Sequence, residues 1–319
     1  MEVGAYLTGI HARSRELISA RKHNNGVEEA HRRDAESLVA LQQASGIERL
    51  VDGMLSWNSP IEPVASCLEG VEVPATNLRR WFNTNTFFHM PSVTGRIAYM
   101  PGSIREHVAA GVLPKKGWKA VLPAPYTFAS LVDNKHYEDF NELMFDFARA
   151  QREMVRELIG EGCAYVQLDD PSLVYHPLRD SSSIKDVLPE IKNAVELVTR
   201  GQYARFSLHT YFEDASPILR DVFDFPVQDI GIDFTETDLK AISGWDSSKG
   251  IALGIVDARS SWMEEPARIA ELARSILDKS GAKEAYLCPT TSLKYLPREL
   301  ADQKVRVISE TARLLGSGS

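Results

Sequence analysis

The sequence predicts an α/β protein, a (β/α)8 TIM barrel that forms a single domain over residues 1–315, with a short flexible tail at 316–319. Short apolar segments alternate with longer amphipathic segments along the chain. The length of 319 residues is sufficient for one such barrel, which needs roughly 250 residues. No G-x-G-x-x-G phosphate loop follows the first apolar segment, and this absence disfavours the main alternative, a doubly wound sheet.

Eight short apolar segments are predicted to be β-strands. They are rich in Val, Ile, Leu and aromatic residues, and most of them end in a polar or turn residue. In chain order they are 2–7, 48–52, 119–123, 164–169, 205–211, 229–233, 251–257 and 284–289. Parallel strands need crossover connections, and the longer segments between these strands can supply them.

Several of the longer segments have the pattern of amphipathic helices. They include 27–45, 138–159 and 265–280. The second of these carries an apolar stripe with the spacing of one helix face. The third has Pro266 in its first turn and Gly281 directly after its end, which are common residues at the start and the stop of a helix.

The composition and the charge exclude several classes of protein. With 44% hydrophobic and 25% charged residues, the chain is typical of globular proteins. A net charge of −8 disfavours a nucleic-acid partner, and no apolar run reaches the roughly 18 residues of a membrane span. The start of the chain lacks the pattern of a signal peptide, and the scattered Cys67, Cys163 and Cys288 fit a reducing compartment. We therefore expect a cytoplasmic protein with no nucleic-acid or membrane partner.

Candidate site residues follow the predicted strands, because the active sites of barrels lie at the carboxyl ends of the strands. The residues expected at this rim include Asp169, His209, Tyr211, Glu213, Asp233 and Asp257. Clustered carboxylates repel one another, so at least one should have a raised pKa, which suits acid/base chemistry or metal binding. Each aspartate could equally cap the helix or turn that follows it, and His209 could be a ligand or a hydrogen-bonded core residue.

Two further segments have an unusual composition. The stretch 13–23 is basic in an acidic protein, so Arg15 could hold a phosphate or a polycarboxylate tail, or lie on a solvated helix face. Aromatic and amide residues alternate at 81–88. A planar polar ligand could bind between Trp81, Asn83 and Asn85. The same residues are equally typical of a rigid loop whose side-chain amides bind its own backbone.

Ordered motifs extend over nearly the whole chain. They are R-E-L at the end of 9–17, W-F-N-T-N at 81–85, V-Q-L-D-D-P at 166–171, T-Y-F-E at 210–213, F-P-V-Q-D-I-G-I-D-F at 225–234, and the segments 254–262 and 291–300. Together they resemble the N-terminal barrel of cobalamin-independent methionine synthase. That family has two related barrels, of which the C-terminal one binds zinc and homocysteine.

The resemblance implies a methyltransferase that acts in methyl transfer from a reduced pterin of the 5-methyltetrahydrofolate type to homocysteine. The pterin is then a small-molecule substrate, and no tightly bound cofactor is expected. The family's zinc ligands are a His, a Cys two residues later, a Glu and a late Cys, and the matching positions here are Tyr211, Glu213, Asp233 and Thr291. Because the thiolates are missing, we expect no metal ligands, and we expect the chain to be the N-terminal-barrel half of a split enzyme. Its expected partner is a separate zinc-bearing catalytic barrel.

The resemblance and the rim together suggest a role for each candidate. The expected catalytic residues are Asp233 and Asp169, and Asp169 matches a carboxylate that contacts the amino-acid substrate in the family's catalytic barrel. The residues expected to bind substrate or pterin are Arg15, Trp81, Asn83, Asn85, His209, Tyr211, Glu213 and Asp257. Two alternatives remain open. The chain could be an independent barrel enzyme of the lyase or hydrolase type that uses the acidic rim, with or without a hard divalent metal, or a non-catalytic ligand-binding barrel.

Overall fold

The computed structural model describes residues 2–47, 49–175 and 184–316. Within these ranges the strands, in chain order, are β1 (Glu2–Ala5), β2 (Leu68–Glu72), β3 (Leu78–Arg80), β4 (Phe87–His89), β5 (Ser92–Tyr99), β6 (Trp118–Pro123), β7 (Asp133–Asn134), β8 (Cys163–Asp169), β9 (Arg205–Thr210), β10 (Asp229–Asp233), β11 (Gly250–Val256) and β12 (Glu284–Pro289).

The helices of the same ranges lie mainly between these strands. They are α1 (Arg15–His23), α2 (Val27–Ala44), α3 (Glu62–Ala65), α4 (Pro125–Ser130), α5 (Phe140–Gly160), α6 (Ile184–Thr199), α7 (Leu219–Val222), α8 (Pro266–Ser280) and α9 (Arg298–Gly316). Of the tail expected at 316–319, Gly316 closes α9, and 317–319 lie outside the described residues.

Seven of the described strands form one parallel sheet in the order β1–β12–β11–β10–β9–β8–β6. Each neighbouring pair runs parallel, so the carboxyl ends of all these strands meet at one edge of the sheet. The α/β class is confirmed, and the architecture is that of a TIM-like parallel sheet with helical crossovers.

The strand predicted at 48–52 is wrong for the described part of that segment. Arg49 forms one isolated parallel bridge with Tyr6. The side chain of Gln42 on α2 binds both backbone groups of Val51. Its Nε2 donates to the Val51 carbonyl at 2.8 Å, and its Oε1 accepts from the Val51 N–H at 3.1 Å. Because a helix side chain takes these backbone groups, they are not available to a neighbouring strand.

The predicted helices are confirmed within two residues at each end, as α2, α5 and α8. Their ends have local causes. The Asp139 carboxylate accepts a hydrogen bond from the backbone of Asn141 at the start of α5. Pro266 opens α8, and Gly281 ends it in the left-handed conformation with φ of 62°. None of the described helices combines the length and the apolar character needed to cross a membrane.

A small additional layer is formed by the chain between α3 and β6 together with β7, which follows α4. It contains a sheet in the order β2–β5–β7 and an antiparallel hairpin of β3 and β4, which we call the aromatic hairpin, residues 78–89. The sequence analysis placed no strands here. The two hairpin strands have three residues each, which is too short for a periodic pattern to be recognised.

The two faces of the parallel sheet differ in chemistry. On β8, Val166 and Leu168 pack into the main hydrophobic core together with residues of the helices. The opposite face, which we call the inner face, carries Tyr165, Gln167 and Asp169, because alternate residues of a strand share a face. A separate buried cluster lies on that face and consists of Tyr6, Tyr165, Ala252, Tyr286 and Cys288.

Candidate active site at the carboxyl edge of the sheet

Asp169 is the last residue of β8 and is only 3% exposed. One carboxylate oxygen accepts a hydrogen bond from Nε2 of Gln167 at 2.6 Å, and the other accepts one from the hydroxyl of Tyr211 at 3.2 Å. Burial raises the pKa of Asp169 to about 7, although these hydrogen bonds and the charge of Lys119 act in the opposite direction. The group is therefore a buried acceptor that can exchange a proton near neutral pH.

Asp170 follows directly after the end of β8 and has different partners. Its Oδ1 accepts from the Thr127 hydroxyl at 2.6 Å, and its Oδ2 has no partner among the described residues. Burial, followed by the nearby charge of Asp169, raises the pKa of Asp170 to about 8. Asp170 was not among the site residues predicted from the sequence, although two adjacent aspartates at a strand end were a visible signal.

His209 lies on the inner face of β9, opposite Asp169 in the strand register. Its Nε2 is 3.0 Å from the hydroxyl of Tyr6. Burial lowers the pKa of His209 well below its usual value, and the charge of Lys119 adds to this effect. The ring occupies the space beside Gly231, where a Cβ would lie 2.3 Å from His209 Nδ1. His209 is therefore a neutral, hydrogen-bonded imidazole in this interior.

Lys119 was not recognised from the sequence, although it is a charged residue in an otherwise apolar strand. Its ammonium lies 2.6 Å from the Leu7 carbonyl, 2.5 Å from Oε1 of Gln167 and 3.6 Å from the centre of the Tyr6 ring. Burial lowers its pKa to about 7, although interactions with Cys288 and Asp169 act in the opposite direction. Lys119, Gln167 and Asp169 thus form a continuous hydrogen-bonded chain on the inner face.

Asp233 and Asp257 bind the turns that follow their strands. Oδ1 of Asp233 accepts from the backbone N–H and the hydroxyl of Thr235, at 3.0 and 2.6 Å, and burial raises its pKa. The carboxylate of Asp257 accepts from the backbone of Arg259 at 2.8 Å. The ordinary role of aspartate after a strand therefore explains these contacts, and the catalytic role of Asp233 stays a prediction.

The aromatic hairpin carries the W-F-N-T-N motif in its turn. Trp81 and Phe82 are buried, and the Phe82 ring lies 5.2 Å from Tyr175 and 5.4 Å from Phe212. Phe82 and Phe212 both adopt the left-handed backbone region, with φ of 45° and 84°, which is strained for residues of this size. The turn is therefore fixed against the loop that follows β9.

The amides of this motif point away from that aromatic contact. Asn83 and Asn85 are exposed, and the side-chain oxygen of Asn85 accepts a hydrogen bond from Arg80 at 3.3 Å. Glu213 is also exposed. The structure therefore brings Asp169, His209 and Tyr211 into one buried group, and it leaves these two amides and Glu213 outside that group. Their binding roles stay predictions.

A basic pocket of about 690 Å³ lies between the segment before α1, the aromatic hairpin and the start of α9. Its lining includes Arg13, Arg15 and Lys294. Arg13 donates to the Leu55 carbonyl at 2.6 Å and Lys294 to the Asn58 carbonyl at 2.9 Å, so both charges rest on neutral oxygens. The sequence analysis identified the basic segment with Arg15 but not Lys294.

Electrostatics favour an anion in this pocket. Burial lowers the pKa of Lys294 to about 8 and that of Arg13 to about 10, and in each case a neighbouring cation adds to the effect. Arg15 is 95% exposed and lies 3.9 Å from Glu299, so it is free to turn toward a ligand at the pocket mouth. A bound carboxylate or phosphate would stabilise all three cations.

The residues at the family's zinc positions do not fit a thiol-activating zinc. Among the described residues, no three His, Cys, Asp or Glu side chains form a group that could hold a metal ion. The Tyr211 hydroxyl donates a hydrogen bond to Asp169, and burial raises the pKa of Tyr211 well above its usual value, so it does not fit the role of a phenolate ligand. Burial also raises the pKa of the Cys288 thiol to about 12, whereas zinc binds the thiolate.

Comparisons with known proteins agree with this architecture. A family model described as the cobalamin-independent synthase N-terminal domain matches residues 69–281. The 5-methyltetrahydropteroyltriglutamate–homocysteine methyltransferase of Bacillus licheniformis is 24% identical over 249 residues, which are 75% of this chain and 32% of that protein. The chain therefore spans about a third of that relative. A methionine synthase of Sulfolobus acidocaldarius is 24% identical over 284 residues, 88% of this chain and 80% of that protein.

Solved structures of low sequence identity share the fold. A B12-independent methionine synthase from a Shewanella species, in complex with selenomethionine, has a TM-score of 0.79 at 15% identity, and the match covers 99% of this chain and 98% of that one. A structure described as a vitamin-B12-independent methionine synthase from Listeria monocytogenes has a TM-score of 0.78 at 17% identity, over 99% of both chains.

Proposed function

Because the chain belongs to the family of the cobalamin-independent synthase N-terminal domain, we propose that it acts in methyl transfer from a reduced pterin to homocysteine. In this proposal it is the N-terminal-barrel half of a split methyltransferase, located in the cytoplasm. A separate barrel carries the zinc that activates the homocysteine thiol. The observation that carries the split arrangement is the donor set at the rim, since Tyr211, Glu213, Asp233 and Thr291 offer no thiolate.

The proposal gives the described residues distinct tasks. Arg13, Arg15 and Lys294 hold the carboxylates of the pterin's glutamate tail, because Arg13 and Lys294 donate to neutral carbonyl oxygens and Arg15 is exposed at the pocket mouth. Trp81 is buried inside the aromatic hairpin and supports Thr86 and Phe87, the hairpin residues that line that pocket. Asp169 accepts or releases a proton at its Oδ atoms, because its pKa of about 7 suits this task near neutral pH.

The proposal also includes a closed barrel in one domain over residues 1–315. Two contacts support closure. Arg49 bridges Tyr6 directly after β1, and the carbonyl of the next residue, Leu50, accepts from the backbone of Lys119 on β6 at 2.8 Å. The segment around residues 49–50 therefore contacts both edges of the seven-stranded sheet, and these contacts support the proposed closure although no regular strand forms there.

Reconstitution of the pair tests the proposal. The purified chain is mixed with a zinc-bearing catalytic barrel from the same genome, and methionine formation from 5-methyltetrahydropteroyltriglutamate and homocysteine is measured. We expect this chain to bind the barrel and to raise its rate, and we expect Asp169→Asn to remove the gain. The matched control is Asp278→Asn at an exposed aspartate of α8. This variant should keep the gain in rate. Absence of both binding and rate gain would overturn the proposal.

An independent acid/base enzyme is the second candidate. The observation that favours it is the pair of adjacent buried carboxyls, Asp169 and Asp170, whose pKa values are raised to about 7 and about 8. Such a pair can hold one carboxyl protonated and the other ionised near neutral pH. Elemental analysis of the purified protein distinguishes a metal-dependent acid/base enzyme from the proposed methyltransferase. Stoichiometric magnesium or manganese would support the acid/base enzyme.

A further inference from the structure

We infer that Lys119 is a positioning residue for Asp169, because it orients the Gln167 amide so that Gln167 presents an N–H to the Asp169 carboxylate. The inference concerns the same rim site and rests on the proposed function only for its consequence in catalysis. The hydrogen-bonded chain itself can be tested without any activity.

The orientation of Gln167 follows from the chemistry of its partner. In its protonated form Lys119 has three donors and no acceptor, so the ammonium can bind only the carbonyl side of the amide. Lys119 lies 2.5 Å from Oε1 of Gln167, and this contact turns Nε2 toward Asp169, 2.6 Å from its Oδ1. Without the ammonium, both amide orientations would be open to Gln167. Lys119 thereby determines which end of the amide Asp169 meets.

Lys119 itself is fixed by its surroundings. It is 2% exposed, its ammonium also donates to the Leu7 carbonyl at 2.6 Å, and it lies over the ring of Tyr6 at 3.6 Å. Burying an amine in this way is costly, and an apolar side chain of similar length would fill the same space at a lower cost. The stability of the fold alone therefore does not account for a lysine here, whereas orientation of the acidic group at the rim does.

The groups around Asp169 come from several elements. On one side Tyr211 donates to its Oδ2 at 3.2 Å. The other titratable or charged groups that interact with it or face it are Lys119 on β6, Asp170 after β8, His209 on β9, Cys288 on β12 and Tyr295 beyond β12. Lys119 is the cation among these described neighbours. It can act on the pKa of Asp169 in two ways, directly through space or through the hydrogen bond with Gln167.

A double-mutant cycle read by NMR separates these routes. The chain is labelled with 13C at its aspartate carboxyls, and the Asp169 signal is assigned by its loss in Asp169→Asn. The titration midpoint of Asp169 is then measured in the wild type, Lys119→Met, Gln167→Met and the double variant. We expect Lys119→Met to raise the midpoint by about one pH unit. In the Gln167→Met background the same change should have less than half of that effect, because the route through the amide is already broken.

The matched control is Lys240→Met at an exposed lysine, which should leave the midpoint of Asp169 unchanged. If Lys119→Met does not fold, the comparison of Gln167→Met with the wild type still decides, because a midpoint that stays the same contradicts a role of the Gln167 amide. Shifts that add independently in the folded double variant would also overturn the inference.

The result is distinguishable from that of the reconstitution experiment. A coupled midpoint shift without methyl transfer supports the positioning role and contradicts the proposed function. Methyl transfer with additive shifts supports the proposed function and contradicts the positioning role. If both hold, the acidic limb of the pH profile of methyl transfer should move with the Asp169 midpoint in Gln167→Met.

Discussion

At the residue scale, Asp169 combines burial with one accepted hydrogen bond on each carboxylate oxygen. Gln167 and Tyr211 both donate to it, and the burial of the group raises its pKa into the range in which proton exchange is possible at neutral pH. Its surroundings thus keep it near the balance between its two protonation states, as the proposed proton exchange requires.

Replacement of this group should separate activity from stability. We expect Asp169→Asn to lower the rate of the reconstituted methyl transfer by about 100-fold, as is common for the loss of a general acid or base. The unfolding midpoint in denaturant at pH 8 should not fall, because a neutral amide is less costly to bury than a carboxylate. An Asn variant with full activity, or one that unfolds, would contradict this reading of the site.

Lys119 should leave a signature in the pH dependence of stability. Its pKa in the folded protein is lowered to about 7, against about 10.4 for an unfolded lysine, so the unfolded chain binds more protons between these two values. The free energy of unfolding therefore gains a contribution that rises with pH from about 7 to about 10. Lys119→Met lacks this contribution.

Because the other titrating groups are shared, the comparison of wild type and Lys119→Met in urea at pH 7 and at pH 10 isolates Lys119. The wild type should gain stability relative to the variant as the pH rises. If the free energy of unfolding changed equally with pH in both proteins, the pKa of Lys119 would not be lowered in the folded state.

The sequence could locate some of these residues and not others. Asp169 and His209 were found because a strand end can be recognised from the apolar run that precedes it. Lys119 was not found, because the run alone does not show which face of the strand is the inner one. That depends on the register, in which Lys119 lies opposite Tyr165, and on Tyr6 from a distant strand. The exposure of Asn83 was likewise hidden, since the left-handed turn at Phe82 decides it.

At the element scale, the buried strands of the parallel sheet were predictable, because each is a short apolar run with a polar end. The segment at 48–52 has the same pattern, but Gln42 on α2 takes the backbone groups of Val51. The strands of the aromatic hairpin were missed because three residues are too few to show alternation. Single-sequence patterns therefore describe the sheet better than the layer that covers its edge.

The packing between β9 and β10 gives an element-scale prediction. A Cβ at Gly231 would lie 2.3 Å from the His209 ring, whereas nothing lies within 4 Å of a Cβ at Gly160. Gly231→Ala should therefore displace His209 and lower the free energy of unfolding by about 1–3 kcal/mol. The control Gly160→Ala, in the last turn of α5, should raise that energy by about 0.5–1 kcal/mol. Denaturant midpoints measure both, and equal effects of the two changes would contradict the packing argument.

At the scale of the whole molecule, the carboxyl edge of the sheet and the basic pocket form a surface with two kinds of chemistry. The chain carries a net charge of −8, whereas the lining of the pocket is positive on balance, with four cations, Arg13, Arg15, Lys294 and Arg298, against the carboxylates of Glu62 and Glu299. An extended anion is attracted to such a pocket at short range, and dissolved salt weakens that attraction. The pocket also contacts α9 and the aromatic hairpin, so residues distant in the sequence form it together.

The basic pocket predicts a dependence of binding on tail length. We expect this chain to bind 5-methyltetrahydropteroyltriglutamate at least tenfold more tightly than the monoglutamate form in low salt, because the additional carboxylates reach Arg13, Arg15 and Lys294. The difference should shrink in 0.5 M salt, since exposed charges are then screened beyond a few ångströms. Lys294→Gln should remove most of the preference, whereas the exposed Lys240→Gln should keep it. Calorimetric titration of both ligands measures these affinities. Equal affinity for the two tails in low salt would show that the pocket holds something other than a glutamate tail, and it would leave the rim at Asp169 as the remaining structural argument for a pterin substrate.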